Sequence, residues 1–305
     1  MLVLPDSGVV TIGSSQKNPS GNKDIYVVRT DKKGAIQWTK HYGSENNDEG
    51  LGMILENNIN LVMVGYTEKT GTDSDKDIWM FKIDIHGNDV WPNQRIRNYP
   101  GDNTAMDIVP MNDEYIVMGN TIGAFEQYVN PELNSVFIFK TDNQGISTSS
   151  FAFISDNGYG SHYGTMIETD PDGYFYILGK AESNAGTSDI LLARLNLTLN
   201  IDPGWPKYLD VNGNTSGNAL IVTRENLHII GSIANPSGIE SMILCITDKN
   251  GNIGRQKQYN LIDNHEGLGF SITSDGGYII TGGSGKADND KSEIVVVKTK
   301  AGGVL

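Results

Sequence analysis

The chain of 305 residues carries 36 glycines, 38% hydrophobic residues and a formal charge of -14, with one cysteine. A negative chain repels phosphate backbones, which argues against a nucleic-acid partner and leaves the charge serving solubility. A lone cysteine excludes an internal disulfide, and no run approaches the roughly 18 apolar residues that span a membrane.

Two landmarks repeat along the chain. A glycine closing an apolar run falls at Gly13, Gly65, Gly119, Gly179, Gly231 and Gly282. A polar residue ending the following run falls at Asp31, Asp84, Asp142, Asn196, Asp248 and Lys300, in step with it. A period of roughly 50 residues marks a repeat architecture. Six units are expected, over residues 1-42, 43-99, 100-155, 156-208, 209-259 and 260-305, forming one domain.

Each unit reads as four antiparallel strands. The first is short, as in Met53-Ile-Leu55. The second precedes the marker glycine, as in Leu61-Val-Met-Val64 and Tyr278-Ile-Ile280. The third is Asp24-Ile-Tyr-Val-Val-Arg-Thr30, with relatives from Asp77 and Asp189. The fourth follows a turn glycine, as in Gly34-Ala-Ile-Gln-Trp38 and Gly87-Asn-Asp-Val-Trp91, and is more polar. This pattern predicts an all-β, six-bladed β-propeller of four-stranded antiparallel blades.

The turns divide the two ends of each blade. Links between strands one and two (Asp170-Pro-Asp-Gly173) and three and four (Asp142-Asn-Gln-Gly145) are tight, because aspartate bonds nearby backbone N–H groups and glycine takes positive φ. The remaining links are longer and vary, among them Tyr66 to Lys76, Lys180 to Ser188 and Leu209 to Ser216. Strand alternation puts all the tight turns at one end, so the variable links share the other, where binding surfaces concentrate.

Units of the form Asp-Gly-Gly-Tyr-Ile-Ile-x-Gly, then Asp-Ile-Tyr-Val-Val-Arg-Thr-Asp-x-x-Gly-x-x-x-Trp, resemble the propeller repeats of secreted or surface-anchored bacterial proteins, lipoprotein- and adhesin-like. The likeness is best at 24–50, 77–91 and 265–299 and poorest at 196–216. It implies the extracellular or periplasmic side of a bacterial cell envelope, with any anchor lying before Met1. Asp31 to Trp38 and Asp84 to Trp91 also resemble the tryptophan-docking motif of quinoprotein propellers, whose ring locks neighbouring blades; Trp205 is displaced. Neither resemblance implies an activity.

Aligning the first strands near Ile54, Ile108, Ile167, Ile221 and Ile272 groups Glu49, Asn103, His162, Ser216 and, one residue further from its isoleucine, Glu266. The preceding position holds Asp48, Asp102, Ser161, Thr215 and His265. If first strands line a channel, these residues ring its mouth. Convergent polar groups there would make a ligand site, against a plainly solvated funnel. Asp48, Glu49, Asp102, Asn103, His162, Ser216, His265 and Glu266, with Tyr66 and Tyr163 as surface aromatics, are the binding candidates.

Catalytic signatures are sparse. Sialidases share six blades, but their turn motif places glycine two residues after aspartate rather than three. Their chemistry needs three arginines around a carboxylate. The six arginines here (Arg29, Arg95, Arg97, Arg194, Arg224 and Arg255) all fall in or beside strands three and four or the tight turns. No catalytic residue, cofactor or metal ligand is assigned. Calcium is raised only by the alternating aspartates Asp73-Ser-Asp-Lys-Asp77 and Asp288-Asn-Asp290, which lack the glycine and glutamate of a complete loop. The expected function is a non-catalytic, monomeric binding module, taking a protein or glycan at the long-loop end. The alternative is a carbohydrate hydrolase or lyase using Glu49, Glu266, His162 and His265.

Overall fold

The computed structural model describes residues 1–16, 21–68, 75–97, 99–123, 132–154, 159–260, 264–285 and 292–305. The fold is an all-β, six-bladed β-propeller. Contacts divide it into two units, Met1–Ser155 and Asp156–Leu305, of three blades each.

In the first unit, blade 1 is β1 (Leu2–Val3), β2 (Val9–Gln16), β3 (Lys23–Thr30) and β4 (Ile36–Tyr42). Blade 2 is β5 (Asp48–Glu56), β6 (Asn60–Glu68), β7 (Lys76–Asp84) and β8 (Arg95–Arg97). Blade 3 is β9 (Asp102–Met111), β10 (Glu114–Ile122), β11 (Ser135–Asp142) and β12 (Ser147–Ile154). In the second unit, blade 4 is β13 (Ser161–Thr169), β14 (Tyr174–Glu182), β15 (Ser188–Asn196) and β16 (Lys207–Leu209). Blade 5 is β17 (Asn214–Val222), β18 (Asn226–Ala234), β19 (Glu240–Asp248) and β20 (Ile253–Tyr259). Blade 6 shows three strands among the described residues, β21 (Asn264–Ile272), β22 (Tyr278–Gly285) and β23 (Ser292–Lys298). Each sheet is a meander in sequence order.

Burial explains the sequence pattern. Second and third strands are packed on both faces, so they are nearly continuous apolar runs rather than alternations. Ile78, Trp79, Met80 and Phe81 of β7 are all buried. Alternate residues serve the two neighbouring blades: Trp79 and Phe81 join Val10, Ile25 and Val27 of blade 1, while Ile78 and Met80 join Val117, Phe137 and Phe139 of blade 3. Tyr176, Leu178, Ile190, Leu192, Leu220 and Ile229 make the corresponding core between blades 4 and 5. Within each unit the core is therefore distributed as a layer between neighbouring sheets, and each fully buried large side chain contributes roughly 1.5–3 kcal/mol.

The marker glycine has a steric cause. Each first strand from blade 2 onward carries a β-bulge, for instance between Gly50 and Gly52 and between Gly217 and Ala219. A Cβ on Gly65, Gly119, Gly179, Gly231 or Gly282 would collide with the carbonyl of Glu49, Thr104, Tyr163, Ser216 or Glu266 respectively. Gly13, whose neighbour β1 has only two residues, meets nothing.

One element differs from expectation. Residues 87–91 do not form the fourth strand of blade 2. Val90 and Trp91 instead fold back so that both backbone N–H groups donate to Lys82 O, and the fourth strand begins later, at Arg95. This turn lets the Trp91 ring lie against Gly145 in the next blade's Asp142–Gly145 turn. Trp38 donates its indole N–H to Ile85 O in the turn of blade 2 (3.2 Å), and Trp205 lies against Gly251 in the turn of blade 5. All three rings thus bridge adjacent blades, including the one displaced in sequence.

Candidate functional site

Register sorts the predicted site residues onto two faces. The marker glycines pair with Gly50, Ala105, Gly164, Gly217 and Gly267. Two residues before each lie Asp48, Asn103, His162, Thr215 and His265, all buried. One residue before lie Glu49, Thr104, Tyr163, Ser216 and Glu266, which the pleat turns to the opposite face. The isoleucine alignment mixed these rows. Asn103 and His162 belong with Asp48, not with Glu49, because the equivalents of Ile108 and Ile167 are Met53, Leu220 and Phe270.

The buried row holds the links between blades. In the first unit Asp48 accepts from Ser44 N (2.6 Å) and Ser44 Oγ, and burial raises its carboxyl above the usual range despite these bonds. Asn103 Nδ2 donates to Tyr99 O and Gly101 O. In the second unit His162 contacts Gly160 O through Nδ1 (3.0 Å) and Tyr208 OH through Nε2 (2.9 Å). A carbonyl only accepts, so Nδ1 carries the proton. Thr215 Oγ1 accepts from Ile190 N. Asp102 belongs to a further repeated tie: it accepts from Lys76 N of the preceding blade, as Asn47 does from Lys23 N and Asn214 does from Ser188 N.

The opposite row is more open but internally engaged. Tyr66 OH donates to Glu49 Oε2 (2.8 Å) under Lys76 Nζ, 4.3 Å from the ring centroid. Burial, then the Glu49 bond, pushes its phenol above the ordinary range, which suits a hydrogen-bond donor and not a nucleophile. Tyr163 repeats the arrangement with Glu182 and Lys180. Asn218 ties Ser216 (3.4 Å) and Glu266 (3.2 Å) together. Burial, then Glu240, raises the Glu266 carboxyl. His265 and Glu266 are consecutive in one strand and point to opposite faces, so they do not form an acid–base pair.

A cleft of about 420 Å³ opens at the long-loop end of the second unit, between blades 4 and 5. Its walls come from three variable links and the strand ends beside them: Thr187 and Asp189 before and in β15; Asp210, Asn212 and Gly213 between β16 and β17, with Asn214 opening β17; Ala234 closing β18, with Asn235 and Pro236 after it. Local turn chemistry shapes each wall. Asn235 Oδ1 accepts from Ser237 N and Ile239 N, closing a turn in which Gly238 has φ 77°. Asp210 Oδ1 accepts from Asn212 N, and the Ser188 N bond to Asn214 joins two walls. Burial, then the charge of Asp210, raises the Asp189 carboxyl. The lining side chains are carboxylate, carboxamide and hydroxyl, with Ala234 and Pro236 as the apolar part and no aromatic ring.

None of the ten predicted binding residues lines this cleft. It comes from three links of two blades, which a repeat alignment does not superpose. The visible signal was Asp210-Val-Asn-Gly-Asn214, a polar turn-forming run in the stretch that fits the repeat worst.

Five arginines are committed to the blades. Arg29 pairs with Asp6 (2.7 Å) and donates to Ile85 O, Arg194 pairs with Asp202 and donates to Lys249 O, and Arg95, Arg97 and Arg255 donate to Gln144 O, Gly145 O and Gly302 O. Burial pushes the Cys245 thiol up to about 12, so it acts as a small apolar side chain. Among the described residues no group of three or more His, Cys, Asp and Glu could hold a metal ion. Asp73 and Asp288–Asp290, raised for calcium, lie outside those residues.

No protein-family model and no curated protein matches the chain. Solved structures do. A Hadza microbial sialidase matches with TM-score 0.58 at 10% identity, over 92% of this chain and 61% of the sialidase. The subtype N11 neuraminidase-like protein of A/flat-faced bat/Peru matches with TM-score 0.56 at 10% identity, over 99% and 86% of the two chains. A bifunctional GH43-CE protein of Bacteroides eggerthii matches with TM-score 0.44 at 14% identity; this chain spans 32% of its length. At these identities the likeness is one of fold.

Proposed function

We propose that the protein is a non-catalytic binding module whose ligand, a glycan or a polar loop of a partner protein, enters the cleft between blades 4 and 5. The observation that carries this reading is the cleft itself: variable links build it, and carboxamide, carboxylate and hydroxyl groups line it, with no histidine or cysteine among the lining residues. Asp189 and Asp210 repel anions, so a neutral or amino-bearing ligand fits and a sialic acid does not. The commitment of five arginines to blade contacts supports the same exclusion. An exported monomer on the extracellular or periplasmic side of a bacterial cell envelope fits the repeat resemblance, and cell fractionation with light scattering tests it.

The test is a glycan array followed by calorimetric titration of its hits, with Asp210→Asn and Asn235→Ala. The reading expects a saturable hit that each change weakens about tenfold. Binding that survives both changes would remove the cleft from the function.

A second reading is kept for one observation. The raised Asp189 carboxyl beside Asp210 is the kind of unequal carboxylate pair that glycoside hydrolysis uses. Turnover of nitrophenyl glycosides, abolished by Asp189→Asn, would replace the binding module with an enzyme.

A further inference from the structure

At the tight-turn end of the first unit, blades 2 and 3 enclose a second cleft, of about 280 Å³. Its base is a largely buried ion pair. Lys82 Nζ lies 2.5 Å from Glu56 Oε2 and 3.2 Å from Tyr115 OH, and Tyr115 OH donates to Glu56 Oε1. Asn57, Asn112, Asp113, Asn143 and Gln144 form the rim.

The repeat shows why this place is open. At the same position in blade 1, Arg29 reaches across to Ile85 O in the next blade's turn (2.7 Å), and Trp38 Nε1 bonds the same carbonyl. In blade 4, Arg194 reaches Lys249 O (2.9 Å), joined by Tyr176 OH. Blade 2 has the shorter, single-headed Lys82, which stops at Tyr115. The corresponding carbonyl is that of Asn143, and no described side chain donates to it. The indole N–H of Trp91, at the position of Trp38, is buried and likewise without a partner among the described residues. The two bonds that close this point in blades 1 and 4 are therefore missing here, and Arg95 and Arg97 bridge instead to Gln144 O and Gly145 O, the next two carbonyls of the turn.

An occupant must supply a donor to Asn143 O and also accept from the Lys82 ammonium or the rim amides. The Lys82–Glu56 pair cancels its own charge, and Lys82 disfavours a cation while Glu56 and Asp113 disfavour an anion. A neutral group carrying adjacent hydroxyls satisfies donor and acceptor together. The volume is small for a drug-sized ligand and suits one ring. We propose that this cleft is a binding site for a single neutral sugar unit, set where a guanidinium sits in blades 1 and 4. It is independent of the long-loop cleft and of the function proposed for it.

Saturation-transfer NMR of the full chain with a panel of neutral monosaccharides and their methyl glycosides tests this. At least one sugar should give a saturable signal. Lys82→Arg should then fill the gap as Arg29 and Arg194 do, weakening that sugar about tenfold with no fall in Tm. Asp113→Ala, on an exposed turn, gives a second variant and should weaken it about threefold. Asp210→Asn should leave it unchanged, which separates this site from the long-loop cleft. No signal from any neutral sugar, or a signal that both Lys82→Arg and Asp113→Ala leave intact, would overturn the proposal.

Discussion

Two blade interfaces, 2–3 and 4–5, are built on one template and end up opposite in use. At the tight-turn end, interface 4–5 is closed: Arg194 bridges Asp202 and Lys249 O, with its guanidinium 5.1 Å from the Trp205 ring. Interface 2–3 is bridged there only by Arg95 and Arg97 to Gln144 O and Gly145 O among the described side chains; Lys82 bonds within reach, and no described side chain donates to the Asn143 carbonyl, which leaves a cleft. At the long-loop end interface 4–5 carries the polar cleft. One lesson is that an arginine-to-lysine difference at a repeat position is not conservative: the longer fork reaches the next blade's turn carbonyl and the ammonium stops at Tyr115. The other is that openness in a repeat protein comes from departures from the repeat.

Removing the cation at interface 2–3 should be the most costly change. In Lys82→Met, Glu56 stays buried without its ion partner, and breaking a largely buried pair costs about 3 kcal/mol. The side chains are 8% and 19% exposed, so solvent screens little of this. Burial opposes ionisation of Glu56, but Lys82, Tyr115 and Asn60 overcome it and hold the carboxyl below its ordinary 4.5. A depressed carboxylate stabilises the fold above its unfolded pKa, and that contribution fades as pH falls through the depressed value. Urea denaturation should show the full deficit at pH 7 and a smaller one well below pH 4.5. A deficit independent of pH would point to lost packing instead.

The reciprocal change at interface 4–5 should be milder. Arg194→Lys keeps a cation near Asp202 but withdraws the donor from Lys249 O. Losing one charge-assisted bond costs about 1.5 kcal/mol. If the comparison is right, this variant also opens a new gap at the tight-turn end, visible as faster hydrogen exchange in the Asp248–Gly251 turn. Unchanged exchange would mean that Tyr176 and Trp205 seal the interface without the arginine.

In the long-loop cleft the sign reverses. Burial and Asp210 raise the Asp189 carboxyl above its usual 3.8, so ionising it costs stability above the folded-state value. Asp189 is only half-buried, which discounts the effect. Asp189→Asn should stabilise by about 0.5 kcal/mol at pH 7, with the gain gone at pH 3, where the parent carboxyl is protonated. A loss at pH 7 would show that the carboxylate is held by a bond the asparagine does not replace.

How much of this was legible follows from what the repeat records. Strand order, the tight turns and the marker glycine were readable because each answers to backbone geometry that every blade shares: Gly65 and Gly231 are fixed by a bulged carbonyl, Gly145 and Gly251 by positive φ and a neighbouring ring. Facing was not readable from isoleucines. Met53, Ile108 and Phe270 occupy one position with different residues, and a slip of one residue exchanges the faces of a strand. That slip set Asn103 and His162 beside Glu49. The clefts were hidden for a different reason. Each joins links from two blades, and a period along the chain does not show which links meet across an interface.

The smallest effect belongs to blade 6, where the same ion pair is repeated in the open. Lys298 Nζ lies 2.9 Å from Asp275 Oδ2, close to the 2.7 Å of the Arg29–Asp6 and Lys249–Asp170 pairs. Its side chains are 46% and 58% exposed, against 8% and 19% for Lys82 and Glu56. Water and salt screen an exposed pair, and holding two mobile side chains offsets what attraction remains. Lys298→Met should therefore leave the denaturation midpoint unchanged within error, at low salt and high. Unequal cost is the expectation, since both lysines are in direct ion-pair contact, at 2.9 and 2.5 Å, while the exposure of the two pairs differs widely. A deficit as large as that of Lys82→Met would mean that charge pairing, and not burial, sets the worth of this position throughout the repeat.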